Sequence, residues 1–180
     1  MEKSKAEFQK LIEEKNGPDL KTTQIVGAGG PNILANCDNL ELMRKLLVHG
    51  GMAGGIDLIY IDPPFFSGAD YGSEIRLMDG AGRKAKPIRH TVYHDTWENG
   101  MEEYLGMLAV RLMLMRELLS PQGCLFIHLD WHVVHYVKVL LDEIFGEKNF
   151  VNEIIWQYKS GGVSKRYFAR KHDTILFYAR

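Results

Sequence analysis

The order of apolar segments along this 180-residue chain is the feature that most restricts its fold. Short runs rich in β-branched and aromatic residues alternate with longer runs that are amphipathic or apolar all round. The strand-like segments are 32–36, 56–61, 123–129, 150–158 and 174–179, and the helix-like segments are 39–50, 101–119 and 133–146. Strands that alternate with helices form a mostly parallel sheet. We therefore predict a doubly wound α/β sheet that ends in a C-terminal antiparallel hairpin.

The first 31 residues are predicted to form a helix and a linker that are peripheral to the chemistry. Phe8, Leu11 and Ile12 have helical spacing among charged residues, and an Asn-Gly-Pro sequence at 16–18 ends that pattern. The glycine cluster 26–32 precedes a strand, so it lacks the strand-to-helix context of a phosphate- or cofactor-binding loop. Residues 32–180 are then expected to form one domain.

The composition excludes several classes of protein. The formal net charge is -1, so binding to nucleic acid would depend on local basic patches. Cys37 and Cys124 are too few for a disulfide framework or a zinc ribbon, and both are predicted to be reduced core residues. No apolar run approaches the roughly 20 residues that span a bilayer, and the N-terminus lacks the apolar stretch of a signal peptide. We expect a cytoplasmic protein with no membrane partner.

The residues after the strand 56–61 are the strongest candidate for a functional site. Asp62 follows this strand directly, and ligand crevices in open α/β sheets lie beyond the carboxyl ends of the strands. Pro63 and Pro64 have a fixed φ and no N–H, so this segment presents a carboxylate and free carbonyls as acceptors. Such acceptors suit an –NH2 group, and Phe65 could stack on the ring that bears it. The alternative is that Asp-Pro-Pro only ends the strand in an Asx-type turn.

The sequence DPPF at 62–65 resembles the catalytic motif of DNA amino-methyltransferases, which transfer a methyl group from S-adenosylmethionine to N6 of adenine or N4 of cytosine. Further similar blocks, such as NILANCDNLELMRKLL and KHDTILFYAR, extend the resemblance over Asn32 to Arg180. Their order is that of the permuted, β-type enzymes, as in type III modification subunits. The resemblance implies a Rossmann-like methyltransferase sheet, S-adenosylmethionine as cofactor, DNA as partner, and a restriction subunit or a second copy of the chain as a protein partner.

The cofactor-binding motif of that family, Phe-x-Gly-x-Gly, does not occur in the sequence. The resemblance therefore implies that the chain is the N-terminal portion of a larger enzyme. Residues 32–180 would be the catalytic part of its methyltransferase domain, truncated before the glycine-rich motif and with an incomplete sheet.

The resemblance also implies how residues 62–65 act. The target base would be flipped out of the duplex to reach Asp62, with Phe65 as the stacking platform. Hydrogen bonds from the amine to the Asp62 carboxylate and the Pro63 carbonyl would favour a nucleophilic nitrogen for in-line attack on the methyl group. By family pattern, an aspartate at this position favours adenine. The family more often has tyrosine in place of Phe65 and Asn-Thr in place of the next two residues.

Other candidate residues carry weaker signals. Asp38 aligns with a family residue that contacts the adenine of the cofactor, and it could equally cap the helix that follows it. His172 and Asp173 match a family block near the target-base pocket, although glutamate is commoner at the second position. The segment HLDWHVVH at 128–135 straddles a strand end and a helix start, so no metal site is predicted. Asp130 would instead cap the helix or line the crevice.

Two basic segments are the candidates for DNA contacts. One lies within 82–90, and the other carries Tyr167 and Phe168 among its basic residues. Basic residues mixed with aromatic ones bind phosphates and stack on bases, although short basic runs are more often solvated loops. The predicted DNA-binding residues of the second segment are Lys159, Lys165, Arg166, Arg170 and Lys171.

Alternatives to adenine methylation of DNA stay open on the sequence alone. The same chemistry could act on N4 of cytosine, on RNA or on a protein amide, or the chain could be a truncated, non-catalytic half-domain that binds DNA. Methylation at carbon 5 of cytosine is set aside, because that class uses a nucleophilic cysteine after a proline. Here Asn36 precedes Cys37, and Gly123 precedes Cys124.

Overall fold

A computed structural model describes residues 1–14, 32–68, 70–75, 88–159 and 165–180 of the chain. The helices are α1 (Glu2–Glu13), α2 (Asn39–Val48), α3 (Gly100–Leu118) and α4 (Val134–Phe145). The strands are β1 (Ile56–Ile61), β2 (Asp70–Ile75), β3 (Ile88–His94), β4 (Leu119–Leu129), β5 (Phe150–Gln157) and β6 (His172–Ala179). Most of the predicted linker, with its glycine cluster, and residues 82–87 of the first basic segment lie outside the described residues.

The main sheet contains four strands in the order β1-β4-β6-β5. β1 and β4 are parallel, whereas β6 runs antiparallel to β4 and to β5. The predicted α/β class, with an incomplete sheet and a C-terminal antiparallel hairpin, is therefore confirmed. Because β1 and β4 end at the edge where β6 begins, residues just after Ile61 and near Leu129 meet those near His172.

The core lies between one face of this sheet and the helices. Leu125, Ile127 and Leu129 of β4, with Leu176 and Tyr178 of β6, are almost completely buried on this face. α3 and α4 contact these strands, while α1 and α2 pack against α3. This explains why the sequence of α3 is apolar on nearly all sides. Each buried leucine or isoleucine contributes about 1.5–3 kcal/mol.

The opposite face of the sheet is not covered by any of the described helices. Leu58, Tyr60 and Trp156 are more than half exposed there, and Phe126 stacks on Phe177 with ring centroids 4.4 Å apart. A doubly wound sheet has a helical layer on each face. The described residues supply one of these two layers. Asp62 follows Tyr60 at alternate spacing, so its side chain belongs to the uncovered face.

Two predictions near the N-terminus were wrong. The predicted strand 32–36 is irregular, and Ile33 and Leu34 are 85% and 100% exposed. A strand needs a neighbour for its backbone hydrogen bonds, and no described strand lies beside this segment. Cys37, which follows it, is exposed and not a core residue, whereas Cys124 is half-buried in β4; both thiols are free.

The sequence predicts no helix or strand in the long segment between β1 and α3, but this segment contains β2 and β3. These strands form a separate antiparallel pair in which Asp70 lies opposite His94 and Ile75 opposite Ile88. Backbone hydrogen bonds define such a ribbon, and a search for apolar periodicity does not detect them. Within the described parts of the chain, no helix is long and apolar enough to cross a bilayer.

Candidate active site

Three strands bring polar side chains together at one edge of the main sheet. Asp62 follows β1, His128 lies near the end of β4, and Asp173 lies near the start of β6. His128 Nδ1 is 3.3 Å from Asp62 Oδ1, and His128 Nε2 is 3.3 Å from Asp173 Oδ2. The Tyr158 hydroxyl donates to the other Asp173 oxygen at 3.4 Å. Asp62, with its side chain 56% exposed, is more accessible than His128 and Asp173, whose side chains are each 21% exposed.

The predicted acceptor segment 62–65 lies directly after β1. Asp62 is exposed, and the three residues after it are half-buried. The Phe65 ring meets the His128 ring edge to face, with centroids 5.4 Å apart. Among the described residues, no ring stacks in parallel on Phe65. Its position next to Asp62 therefore suits a platform for a flat ring.

A buried hydroxyl from α3 forms a hydrogen bond with one of the two proline carbonyls. The Tyr104 hydroxyl donates to the Pro64 carbonyl at 2.8 Å. Burial, reinforced by the Asp95 carboxylate, raises the pKa of Tyr104, so this hydroxyl keeps its proton and stays a donor. The Pro64 carbonyl is thereby engaged. The Asp62 carboxylate and the Pro63 carbonyl are the acceptors that this segment offers to a ligand.

A buried carboxylate holds the loop that follows this segment. Asp95 accepts the backbone N–H groups of Phe66 and Ser67 at 3.1 and 2.6 Å. It also accepts the Ser67 hydroxyl at 2.8 Å and the Trp97 indole N–H at 3.1 Å. Phe66 has a φ of 57°, which costs an L-residue about 1–2 kcal/mol. The hydrogen bonds to Asp95 stabilise this unfavourable conformation. The Tyr104 ring also packs edge-on against the rings of Phe66 and Trp97.

The sequence pattern alone does not assign Asp95, Tyr104 or His128 to the site. Asp95 lies in a segment without periodicity, and Tyr104 looks like one more aromatic residue of an apolar helix. His128 was noted only as part of a string of metal-ligating residue types. One signal was available for His128, because it ends a strand that follows β1 along the chain. Neighbouring parallel strands end at the same edge of a sheet.

Asp38 has the capping role that the sequence left open. Its Oδ1 accepts the backbone N–H of Leu40 at 2.8 Å, at the first turn of α2. Its Oδ2 lies 3.7 Å from Arg111 Nη2. The carboxylate is exposed at 60%, so the cap does not shield it from a ligand. A contact between Asp38 and the cofactor stays a prediction.

The residues of the segment 128–135 make two separate sets of contacts. His128 contacts the two carboxylates described above, whereas Asp130 pairs with His132. His132 Nδ1 is 2.5 Å from Asp130 Oδ2, and its backbone N–H donates to Asp130 Oδ1 at 2.9 Å. The Asp130 carbonyl accepts the N–H of Val134, the first residue of α4. Asp130 therefore organises the turn into α4, but the prediction that it caps this helix was wrong: the N-cap is Val133, and no described side chain caps the helix. No group of three metal-ligating side chains converges among the residues that the structure describes.

The described part of the second basic segment reaches the same edge of the sheet. Arg170 places its guanidinium 3.7 Å from the centroid of the Trp131 ring, which follows the end of β4. Trp131 stacks on His132 with centroids 3.6 Å apart. The predicted DNA-binding residues are all exposed except Lys171, which is half-buried: Lys159, Lys165, Arg166, Arg170 and Lys171. These residues lead along the chain into β6, the strand that carries Asp173.

A family model described as DNA methylase matches residues 56–180, which include Asp62 and its neighbours. The chain therefore belongs to the DNA methylase family. The match includes all three strands that meet at the candidate site.

Named relatives make the likeness more specific. The Mod subunit of the type III restriction-modification enzyme StyLTI from Salmonella typhimurium is 32% identical over 142 residues, which are 71% of this chain and 20% of that protein. The type II methyltransferase M.EcaI from Enterobacter cloacae is 32% identical over 151 residues, 83% of this chain and 29% of that protein. The EcoP15I Mod subunit from Escherichia coli is 27% identical over 158 residues, which are 83% of this chain and 24% of that protein. The chain thus spans less than a third of the length of these relatives.

One solved structure, the PvuII DNA methyltransferase (cytosine-N4-specific), aligns with 79% of this chain and 47% of its own. Its sequence identity is 16% and its TM-score is 0.47.

Proposed function

We propose that the chain supplies the catalytic segment of an S-adenosylmethionine-dependent DNA methyltransferase that methylates the exocyclic amine of a flipped base, with N6 of adenine as the target. The observation that carries this proposal is the pair of acceptors, Asp62 and Pro63, at the carboxyl end of β1. An exocyclic amine has two N–H groups, which match these two acceptors. Tyr104 engages the Pro64 carbonyl and so leaves this pair to the ligand.

The chain contributes binding and orientation to this reaction. Asp62 and Pro63 accept the two amine N–H groups, so that the nitrogen lone pair is less delocalised into the base. Phe65 stacks on the flipped base and fixes its plane. Such positioning is a major part of the rate acceleration in a displacement reaction. S-Adenosylmethionine supplies an electrophilic methyl group when it is bound.

The described residues fit the target amine more fully than they fit the cofactor. Asp38 is the candidate contact for the adenine of the cofactor, and it is accessible at the N-terminus of α2. The sequence contains no Phe-x-Gly-x-Gly motif. We therefore propose that residues 1–31 are an accessory helix and linker, that 32–180 form the catalytic part, and that further protein residues complete the cofactor site.

The relatives suggest the setting of this activity. They include Mod subunits of type III restriction-modification enzymes. On this basis the proposed partners are DNA and either a restriction subunit or a second copy of the chain, and the proposed location is the cytoplasm.

Transfer of a labelled methyl group tests the proposed function. The protein as its gene encodes it is incubated with tritiated S-adenosylmethionine and either unmethylated DNA or RNA of matched base composition. We expect label in the DNA and none in the RNA. Label in the RNA alone would show that the substrate is RNA and not DNA. DNA binding without any label would favour the non-catalytic alternative.

The second basic segment, which leads into β6, predicts the salt dependence of DNA binding. Changing Lys165, Arg166 and Arg170 together to alanine is expected to weaken binding and to lower the slope of log K against log salt by about 2–3. The matched control changes Lys3, Lys10 and Lys148, which are exposed on α1 or at the opposite edge of the sheet. Binding titrations at several salt concentrations measure both slopes. Equal slopes for the two triple variants would show that the segment does not contact the DNA.

A further inference from the structure

The imidazole of His128 lies between two carboxylates at the candidate site. We infer that His128 is a positioning residue that fixes the Asp62 carboxylate for the target amine, with Asp173 holding the far side of the ring. This inference rests on the proposed function, because the reaction defines what Asp62 is positioned for.

The strand pairing places His128 where it can reach both partners. Ile127 of β4 lies opposite Ile61 of β1, so the next residues along the two parallel strands are His128 and Asp62. On the other side, β6 runs antiparallel to β4 and brings Asp173 to the same edge. The two ring nitrogens are each 3.3 Å from a carboxylate oxygen. The side chain of His128 is 21% exposed and that of Asp62 is 56% exposed, so the carboxylate is more accessible to a ligand than the ring is.

The chemistry of imidazole makes this contact directional. A neutral ring has one N–H and one lone pair, whereas an imidazolium has two N–H groups. The contact of Nε2 with Asp173 has hydrogen-bond geometry, whereas the contact of Nδ1 with Asp62 is a 3.3 Å ion pair that exists only with an imidazolium ring. The titratable groups facing the ring are Asp62 beyond β1 and Asp173 on β6, with Tyr158 bonded to the second of these.

The contact leaves one side of the carboxylate for a ligand. His128 approaches Oδ1 of Asp62, and no donor among the described residues contacts Oδ2. An exposed aspartate with one fixed oxygen has fewer orientations than a free one, so less entropy is lost when the amine binds. The same imidazole meets the Phe65 ring. His128 thus contacts two of the three residues that would hold the target base, Asp62 and Phe65.

Kinetics of the glutamine variant test the positioning role. We expect His128→Gln to lower the single-turnover rate of methyl transfer by about 10–100-fold, with DNA and cofactor affinities changed less than about twofold. Asp173→Asn should lower the rate in the same direction, and the double variant should be no slower than His128→Gln alone because the two residues act on Asp62 as a unit. The control is His135→Gln, an exposed residue of α4.

The comparison of rate with affinity separates positioning from a merely structural role, because the single-turnover rate should fall while the DNA and cofactor affinities hold. A rate within twofold of wild type in His128→Gln, or an additive double variant, would overturn the inference.

A second measurement does not depend on methyl transfer. In the protein labelled with 15N-histidine, Asp62→Asn and Asp173→Asn are each expected to change the ring-nitrogen resonances of His128. Unchanged resonances in both variants would show that the ring does not link the carboxylates, whatever the enzyme does. If the wild-type protein methylates no nucleic acid, the proposed function fails and the positioning role falls with it, while the resonances still decide whether the link exists.

Discussion

Asp62→Ala is expected to lower methyl transfer to DNA by about 1000-fold or more, since it removes one of the two acceptors for the target amine together with its charge. The Pro63 carbonyl alone would leave one N–H of the amine without a protein partner. DNA affinity should change by less than about threefold, because phosphate contacts supply most of it. Single-turnover methylation and equilibrium DNA binding measure the two effects separately.

The matched control for this experiment is Asp57→Ala. Asp57 is an exposed aspartate near the start of β1, at the opposite end of the strand from Asp62, and it accepts the Ser120 hydroxyl at 2.8 Å. We expect that variant to methylate at nearly the wild-type rate. Methyl transfer that persists in Asp62→Ala would show that the role assigned to Asp62 is wrong. A loss of DNA binding in the same variant would place Asp62 in the DNA interface instead.

Asp95→Ala is expected to reduce both stability and activity. The variant leaves two backbone N–H groups, a hydroxyl and an indole N–H without their buried acceptor. Losses of this kind cost about 3–5 kcal/mol of unfolding free energy. Phe66 would also lose the contacts that hold its left-handed conformation, so Phe65 would move and methyl transfer should fall by about 100-fold. Urea unfolding and single-turnover methylation measure the two losses.

Two further variants make the test of Asp95 decisive. Glu98→Ala removes an exposed acid from the same segment and should leave the unfolding midpoint unchanged. Trp97→Phe removes one donor and keeps most of the ring, so it should cost about 1 kcal/mol and fold well enough to be measured if Asp95→Ala does not. A wild-type midpoint in Asp95→Ala, or a Trp97→Phe variant as stable as wild type, would contradict the proposed role of this carboxylate.

The parts of the fold predicted correctly are those that local sequence determines. The strand β1 was predicted with its observed bounds, because its β-branched run stops at Asp62 and two prolines. The helices α2, α3 and α4 have long apolar patterns and agree with the predicted segments to within about two residues. The acceptor segment 62–65 is a prediction that also rests on local sequence, since its chemistry lies in consecutive residues.

The parts that were missed depend on partners distant in sequence. Asp95 bonds to residues 28 and 29 positions away, and His128 contacts Asp173, 45 positions away. The spacing of apolar residues does not predict such contacts, because they depend on the order of strands in the sheet and on the path of a loop. The predicted strand 32–36 failed for the related reason that a strand-like composition forms a strand only beside a neighbour.

The identity of the methylated base tests the assignment of Asp62 and Pro63 most directly. DNA methylated by the protein as its gene encodes it is digested to nucleosides, which are separated and identified by mass spectrometry. We expect N6-methyl-2′-deoxyadenosine as the product, whereas N4-methyl-2′-deoxycytidine would keep the amine chemistry and correct the target base. Methylation at carbon 5 of cytosine, or no methylated nucleoside in DNA that the protein binds, would contradict an active site that holds an exocyclic amine.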